Sequence, residues 1–408
     1  FFLFFGDVFQ VNVSFLVRVK NMKTKLKYII EYFRNSLDRV VVRTAPVFCV
    51  FLLLMLNSCD TCTGVSGTGI NPENEVYYTA FPLNGVVPNI YRTDFEGSII
   101  QDLVHDGITF SSPSQSGRIA YVRKNSTSGR NDLYTSSIDG SKVKLIGSEN
   151  DIFSISVPIL SPNGKYITFS AGNSRLFYFD NNASSSVFNQ ITGRLASRCQ
   201  PSFSPDSRYL AYFEGDGLTL PYTLKVIEAD SPDNIITVYS KELSNAIFPQ
   251  SSEIAVTWSF NSESVLFTIQ NGDSDDLHVI NILTSSERIL SIPNTKIGAN
   301  QAVMNPTEDF VAVSGRDGNI WLIFIATNDL RFSKLTGSSD IETYRNPKWS
   351  PDGTKLLVNC FSSFDSDNYS TLMCMGLKFD VTLAHTDKIF ILSANAYQGF
   401  WNYTAKVE

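Results

Sequence analysis

Histidine is almost absent. The 408-residue chain holds three, His105, His278 and His385, at dispersed positions, so a histidine metal cluster has little to build on. Cysteine is sparse as well. Cys49, Cys59, Cys62, Cys199, Cys360 and Cys374 show no metal-ligand spacing. A basic excess is missing: net charge is −7, and beyond residue 58 the chain has 25 basic residues against 37 acidic. A body this acidic lacks the electrostatic footprint of a nucleic-acid binder, so no nucleic-acid partner is expected. No G-x-S-x-G elbow appears, and beyond residue 75 there is almost no helical periodicity. No catalytic, cofactor-binding or metal-binding constellation emerges. The expectation is a non-enzyme that uses no cofactor.

What the sequence does have is repetition. The stretch WSPDGTKLLV (349–358) reads as a type I turn, Ser-Pro-Asp-Gly, followed by a strand. Pro pre-sets the backbone angle and Gly takes the left-handed conformation without a Cβ penalty. Ungapped copies occur as LSPNGKYITF (160–169), FSPDSRYLAY (203–212), WSFNSESVLF (258–267) and MNPTEDFVAV (304–313). An earlier copy, SSPSQSGRIAY (111–121), needs one inserted residue. The turn position falls at Pro113, Pro162, Pro205, Phe260, Pro306 and Pro351, at spacings of 49, 43, 55, 46 and 45 residues. Phe260 breaks the Pro rule, and Gly fills the last turn position of the ungapped copies only at Gly164 and Gly353.

Each unit continues with a second strand pair, as in NDLYTSSIDGSKVKLIG (131–147) and NIWLIFIATNDLRFSKLTG (319–337). One unit is thus four short antiparallel strands, A to D, which is a propeller blade. At the ends, EVYYTA (75–80), NIYRTDFEGS (89–98) and IIQDLV (99–104) supply strands B, C and D without a strand A. QGFWNYTAK (398–406) supplies a strand A with nothing after it. Together they complete one blade and close the ring through main-chain hydrogen bonds, which removes two exposed sheet edges. The expected fold is therefore all-β: a propeller of seven blades, with six blades and stray terminal strands as the alternative. A single propeller domain is expected over 75–408.

The segment before the repeats reads as an export signal. Lys23, Lys25, Lys27, Arg34, Arg39 and Arg43 precede an apolar run of 12 residues, APVFCVFLLLML (45–56), too short to span a bilayer comfortably. Met22 is the first methionine, and the expectation is that translation starts there, ahead of which 1–21 would be untranslated. Residues 1–58 are assigned to this signal or extension, and 59–74 to a Gly/Thr/Ser/Asn-rich tether. The sequence LNSC (56–59) resembles a bacterial lipoprotein cleavage box, with Leu at −3, Ser at −1 and Cys at +1; Asn57 at −2 departs from the pattern. The resemblance implies a multiply acylated Cys59 and an exported, lipid-anchored envelope protein. A plain secretory signal or an uncleaved membrane anchor is the other reading.

The repeat, apolar-S-P-D-G followed by a strand and then G-x-apolar-aromatic, resembles the TolB-like, WD40-like propeller repeat of exported bacterial proteins over residues 75–406. TolB carries a mixed α/β domain ahead of its propeller, and this chain has only the tether there, so a Tol–Pal role is not carried over. Three function classes follow. The first is a protein- or peptide-binding scaffold held at a membrane, the second a carbohydrate-binding or carbohydrate-cleaving propeller, and the third a purely structural envelope component.

Individual residues carry smaller expectations. Cys360 and Cys374 lie in neighbouring strands, and a hairpin centred near Asp367 would oppose them as a disulfide; two unpaired buried thiols are the alternative. DSDD (273–276) and DSD (365–367) read as solvated hairpin-tip acids, with a calcium loop as the sharper option. Asp139, Asp206 and Asp352 are expected to accept backbone N–H bonds in their turns. Leu160, Phe203, Trp258, Met304 and Trp349 share one slot and are expected to pack between blades. Trp321 and Trp401 are left open, either as core or as binding residues at a channel mouth.

Overall fold

The computed structural model describes residues 75–401, except 83–86, 149–154, 172–174, 183–187, 192–198, 217–218, 232–235, 244–253, 272–273, 294–300, 328–329, 339–341, 363–369 and 381–382. The chain divides into two units, Phe1–Thr68 and Gly69–Glu408, and every described residue belongs to the second. Cys59, the apolar run and the whole tether lie outside the described residues.

Among the described residues all regular structure is β-strand, arranged as seven antiparallel four-stranded blades. Blade 1 comprises Gly107–Phe110, Arg118–Lys124, Asn131–Ser137 and Lys144–Ser148. Blade 2 comprises Ile159–Leu160, Tyr166–Ala171, Arg175–Asp180 and Asn189–Gln190. Blade 3 comprises Ser202–Phe203, Tyr209–Asp216, Thr219–Glu228 and Thr237–Leu243. Blade 4 comprises Thr257–Trp258, Ser264–Asn271, Ser274–Asn281 and Glu287–Pro293. Blade 5 comprises Gln301–Met304, Phe310–Ser314, Ile320–Phe324 and Arg331–Lys334. Blade 6 starts with Glu342–Trp349, Lys355–Ser362 and Ser370–Asp380, and takes its strand D from the first part of Leu383–Trp401.

That last strand does double duty. Up to Ala396 it pairs with strand C of blade 6, and from Ala396 to Trp401 it pairs with Glu75–Ala80. It is strand A of blade 7, whose strands B, C and D are Glu75–Ala80, Asn89–Asp94 and Ile100–Val104. Tyr78 stands opposite Gly399 and Val76 opposite Trp401, so the two ends of the repeat array share one sheet as expected.

The core explains why a ring forms. Seven buried apolar clusters each draw from two consecutive blades, and the series runs all the way round. In strand B of blade 5, Val311 and Val313 face blade 4, and Phe310 and Ala312 face blade 6. With both faces covered, the strand reads as an uninterrupted apolar run, FVAV, instead of alternating. One blade alone would leave both faces wet, so stability comes from stacking neighbours. From blade 2 to blade 6 each strand A lies against the strand A of the next blade around the axis. Next to them, Cys199–Gln200 and Ile254–Ala255 form a short parallel pair.

The slot before each turn is core. Phe110, Leu160, Phe203, Trp258, Trp349 and Trp401 are all buried there, and Met304 is half-buried. The three tryptophans repeat one hydrogen bond. Trp258 Nε1 donates to the Ser202 carbonyl at 2.9 Å, Trp349 Nε1 to Val303 at 3.1 Å and Trp401 Nε1 to Lys348 at 3.0 Å. Each acceptor is the residue just before the slot in the preceding blade. Trp401 thereby belongs to the interior and not to a channel mouth.

Cys360 and Cys374 are free, buried thiols and not a disulfide. The hairpin register pairs Cys360 with Thr371 and Cys374 with Leu357. Leu357 and Cys360 are three residues apart on one strand, so the two cysteines face opposite sides of the sheet. Burial pushes the Cys374 thiol up to about 12 and Cys360 upward, which makes both poor nucleophiles.

Candidate functional site

The ring has two ends. One carries the A–B turns, the other the B–C hairpins and the D–A connections. At the first end four of the six A–B turns use the same polar device. The hydroxyls of Ser161, Ser204 and Ser259 donate to Oδ1 of Asn163, Asp206 and Asn261 at 2.6–2.7 Å. The same hydroxyls accept the N–H that opens strand B, from Tyr166, Tyr209 and Ser264, at 2.9–3.0 Å. Ser350 does likewise with Asp352 and Lys355. Asp139, Asp206 and Asp352 accept backbone N–H groups from Ser141, Arg208 and Thr354, the structural task expected of them. Burial would raise the Asp352 carboxyl, but bonds from Ser350 and Thr354 outweigh it and hold the group at about 2.

The fourth turn position is left-handed in all six turns, whether or not it is glycine. Its φ is 69° at Gly117, 72° at Gly164, 64° at Ser207, 65° at Ser262, 62° at Glu308 and 71° at Gly353. A non-Gly residue there costs about 1–2 kcal/mol. The polar replacements return something to the ring. Asn163 N–H donates to Ser207 Oγ at 2.9 Å, Asp206 N–H to Ser262 Oγ at 3.0 Å, and Asn261 N–H to Glu308 Oε1 at 3.0 Å. Each bond ties one blade's turn to the next. At Gly164 a Cβ would stand 2.1 Å from Ser116 Oγ of the preceding blade, so a larger residue there would have to displace that side chain.

The second end assembles a polar and aromatic cluster across blades 4 to 6. Asp275, in strand C of blade 4, is fully buried and ion-paired with Arg316 of blade 5. Asp276 is also buried and accepts from Ser291 Oγ at 2.6 Å. These two acids, expected as solvated hairpin-tip residues, instead belong to the strand and turn inward. Asp273 and the DSD stretch lie outside the described residues. Beside Arg316, Asp317 accepts from Trp321 Nε1 at 3.2 Å and pairs with Lys334 at 3.5 Å. The Lys334 ammonium sits 5.6 Å from the centre of the Trp321 ring. Asn319 Nδ2 donates to Ser338 Oγ at 2.7 Å, and Tyr344 N–H to the Gly318 carbonyl at 2.7 Å, which carries the network into blade 6. Arg316, Asp317, Trp321 and Lys334 are all half-exposed. The arrangement offers a cation, a carboxylate and an aromatic face to a ligand. It sets no nucleophile beside a base.

The histidines do not converge. His105 is exposed and lies 3.5 Å from Asp102. His278 stacks on Phe267, and its Nδ1 lies 2.6 Å from Glu287, which also takes Lys241. Burial would raise the Glu287 carboxyl, and the bonds from Lys241 and His278 hold it low instead. In the strand register the backbone of His385 stands opposite Lys378 in blade 6. Among the described residues no three His, Cys, Asp or Glu side chains gather as a metal site. Reading the sequence in repeats missed Asp275–Arg316 and the Ser207, Ser262 and Glu308 bonds. The signal for the latter was there: the drifted glycines had all become polar.

The chain is thus a seven-bladed β-propeller whose first and last β-segments close the ring. No family model matches it, and no curated protein matches it. Among solved structures it is similar to KlHsv2 with loop 6CD replaced by a Gly-Ser linker, at TM-score 0.52 and 13% identity, covering 80% of this chain and 98% of that one. It is also similar to a 6-phosphogluconolactonase-like protein from Bacteroides uniformis, at TM-score 0.50 and 14% identity, with 80% and 98% covered. TolB from Acinetobacter baumannii shares 16% identity at TM-score 0.45, with 81% and 83% covered. Identities this low speak for the fold alone.

Proposed function

We propose that the chain is a non-catalytic, exported scaffold, held at a membrane of the cell envelope through acylated Cys59, that binds a protein or peptide segment at the end formed by the B–C and D–A connections. The observation behind this reading is the half-exposed set Arg316, Asp317, Trp321 and Lys334, fixed by bonds across three blades. Rigid elements that hold paired charges beside an aromatic face suit a peptide, whose backbone and side chains supply both polar and apolar groups.

The test is affinity capture from envelope extracts after mild cross-linking, comparing the native chain with a Trp321→Ala, Lys334→Ala variant. Loss of the captured protein with unchanged thermal stability supports the reading. Recovery of no partner by either form would count against a scaffold role. Acylation is tested separately by palmitate labelling, which Cys59→Ala should abolish. The second reading, carbohydrate binding, draws on the exposed face of Trp321 beside the Asp317 carboxylate. A glycan array on the same two forms separates it from the first.

A further inference from the structure

We propose that the outer rim of blades 6, 7 and 1 rests on the surface of a lipid bilayer, so that the ring lies against the membrane in a fixed orientation. Six of the eleven exposed large hydrophobic side chains among the described residues sit on this rim: Ile99, Ile100, Val143, Leu145, Ile389 and Ile391. Ile100, Leu145, Ile389 and Ile391 belong to the outermost strands of their blades, and Ile99 and Val143 immediately precede such strands. Clustering on this scale marks a surface that meets something apolar.

The rim is continuous. A Cβ built on Gly97, in the C–D turn of blade 7, would stand 3.2 Å from the Ile391 carbonyl of blade 6. One built on Gly140, in the C–D turn of blade 1, would stand 3.1 Å from the Leu103 carbonyl of blade 7. Each turn therefore lies directly on the preceding blade's outer strand. Some of the charge there is already engaged: Lys378 pairs with Asp387 at 2.7 Å, and the Asp102 carboxylate accepts from the Asn89 amide at 3.0 Å. A surface with balanced charge and branched aliphatics suits a zwitterionic lipid interface. An anionic bilayer would repel the acidic body as a whole.

The occupant is argued from where the remaining chain joins the ring. Thr93 stands opposite both Val76 and Ile100 in adjacent strand pairs, so Ile100 lies two strands, about 10 Å, from the second residue of the first strand. The apolar run ends at residue 56, and 18 residues separate it from Glu75. A chain of that length spans at most about 60 Å fully extended. Anchoring at Cys59 or at the apolar run therefore holds the rim of blade 7 at high effective concentration beside the bilayer. This argument rests on the anchored reading above.

The experiment places an environment-sensitive nitrobenzoxadiazole dye on single exposed cysteines in the full chain: Ile100→Cys and Ile391→Cys on the rim, and Ile289→Cys on blade 4 as the control. Ile289 is 52% exposed against 58% for Ile100, so the two sites start alike. Each form is mixed with phosphatidylcholine vesicles and floated. Docking predicts a several-fold rise and blue shift of emission at positions 100 and 391, with none at 289. Flotation with flat emission at 100 and 391, or with equal emission at all three sites, overturns rim docking and leaves the anchor standing. A rise at 100 without palmitate on Cys59 keeps the docking and removes the lipid anchor. Failure to float, with flat emission, overturns both.

Discussion

At the A–B turn end, Asn163, Asp206 and Asn261 each spend a backbone N–H on a side chain of the following blade. At the opposite end the link between blades 4 and 5 is a buried carboxylate, Asp275, held by a guanidinium, Arg316. The first device is repeated and assembled from uncharged N–H donors. The second occurs at one seam and relies on charge. A repeat protein can therefore keep one end uniform while the other end diverges, because the two ends depend on different positions of the same unit. Divergence at an end with exposed charge and aromatic surface is where binding is acquired.

The largest test removes the closure that both ends share. Trp401→Ala deletes a fully buried indole and its bond to Lys348, and should cost about 3–5 kcal/mol in denaturant unfolding. A cost below about 1 kcal/mol would mean that the ring does not depend on its shared blade. Next, Arg316→Ala leaves the Asp275 carboxylate without its guanidinium. The expected loss is about 3 kcal/mol, recovered in part by Asp275→Asn in the same chain. Equal losses in the single and double variants would show that the seam does not depend on charge.

A smaller effect separates strain from hydrogen bonding at the turn end. Ser207→Ala keeps the positive φ and loses the bond to Asn163, costing about 1 kcal/mol. Ser207→Gly loses the same bond but relieves the backbone, and should come out near zero. If the two substitutions cost the same, the left-handed turn carries no strain.

The smallest effect is in acid. Asp352 has a folded value depressed to about 2, so its contribution is fully present above its ordinary value of 3.8 and is lost as pH falls from there through about 2. The stability gap between the native chain and Asp352→Asn should stay constant above about pH 5 and narrow below pH 4. A gap independent of pH would assign the difference to shape alone.

Much of the fold was legible because the repeat writes its turns and strands locally. Ser161, Ser204, Ser259 and Ser350 announce four turns, and the shared sheet follows from counting strands at both ends. Phe260 kept its turn despite losing Pro, since Ser259 and Asn261 still supply the hydrogen bonds. Of the two readings of Cys360 and Cys374, a disulfide or unpaired buried thiols, the second holds, and the sequence could not choose because register depends on loop geometry, which composition does not specify. Asp275 was misjudged because its partner stands 41 residues away in the next blade. A carboxylate's burial is a property of the neighbour and not of its own strand. The candidate site was less legible still: Trp321 and Lys334 meet only through the pairing of strands C and D of blade 5.

The strand Leu383–Trp401 leaves one sheet and enters the next without a loop, and its last residues face Val76 across a separation of 325 positions (76 to 401). During synthesis, Glu75–Ala80 must wait for its inner neighbour, strand A, until the six intervening blades have been made. Throughout that interval its bare edge is open to chaperones, or to the matching segment of another nascent chain. Late ring closure makes the pace of synthesis, and not only the sequence, a determinant of how much of this protein reaches its finished form.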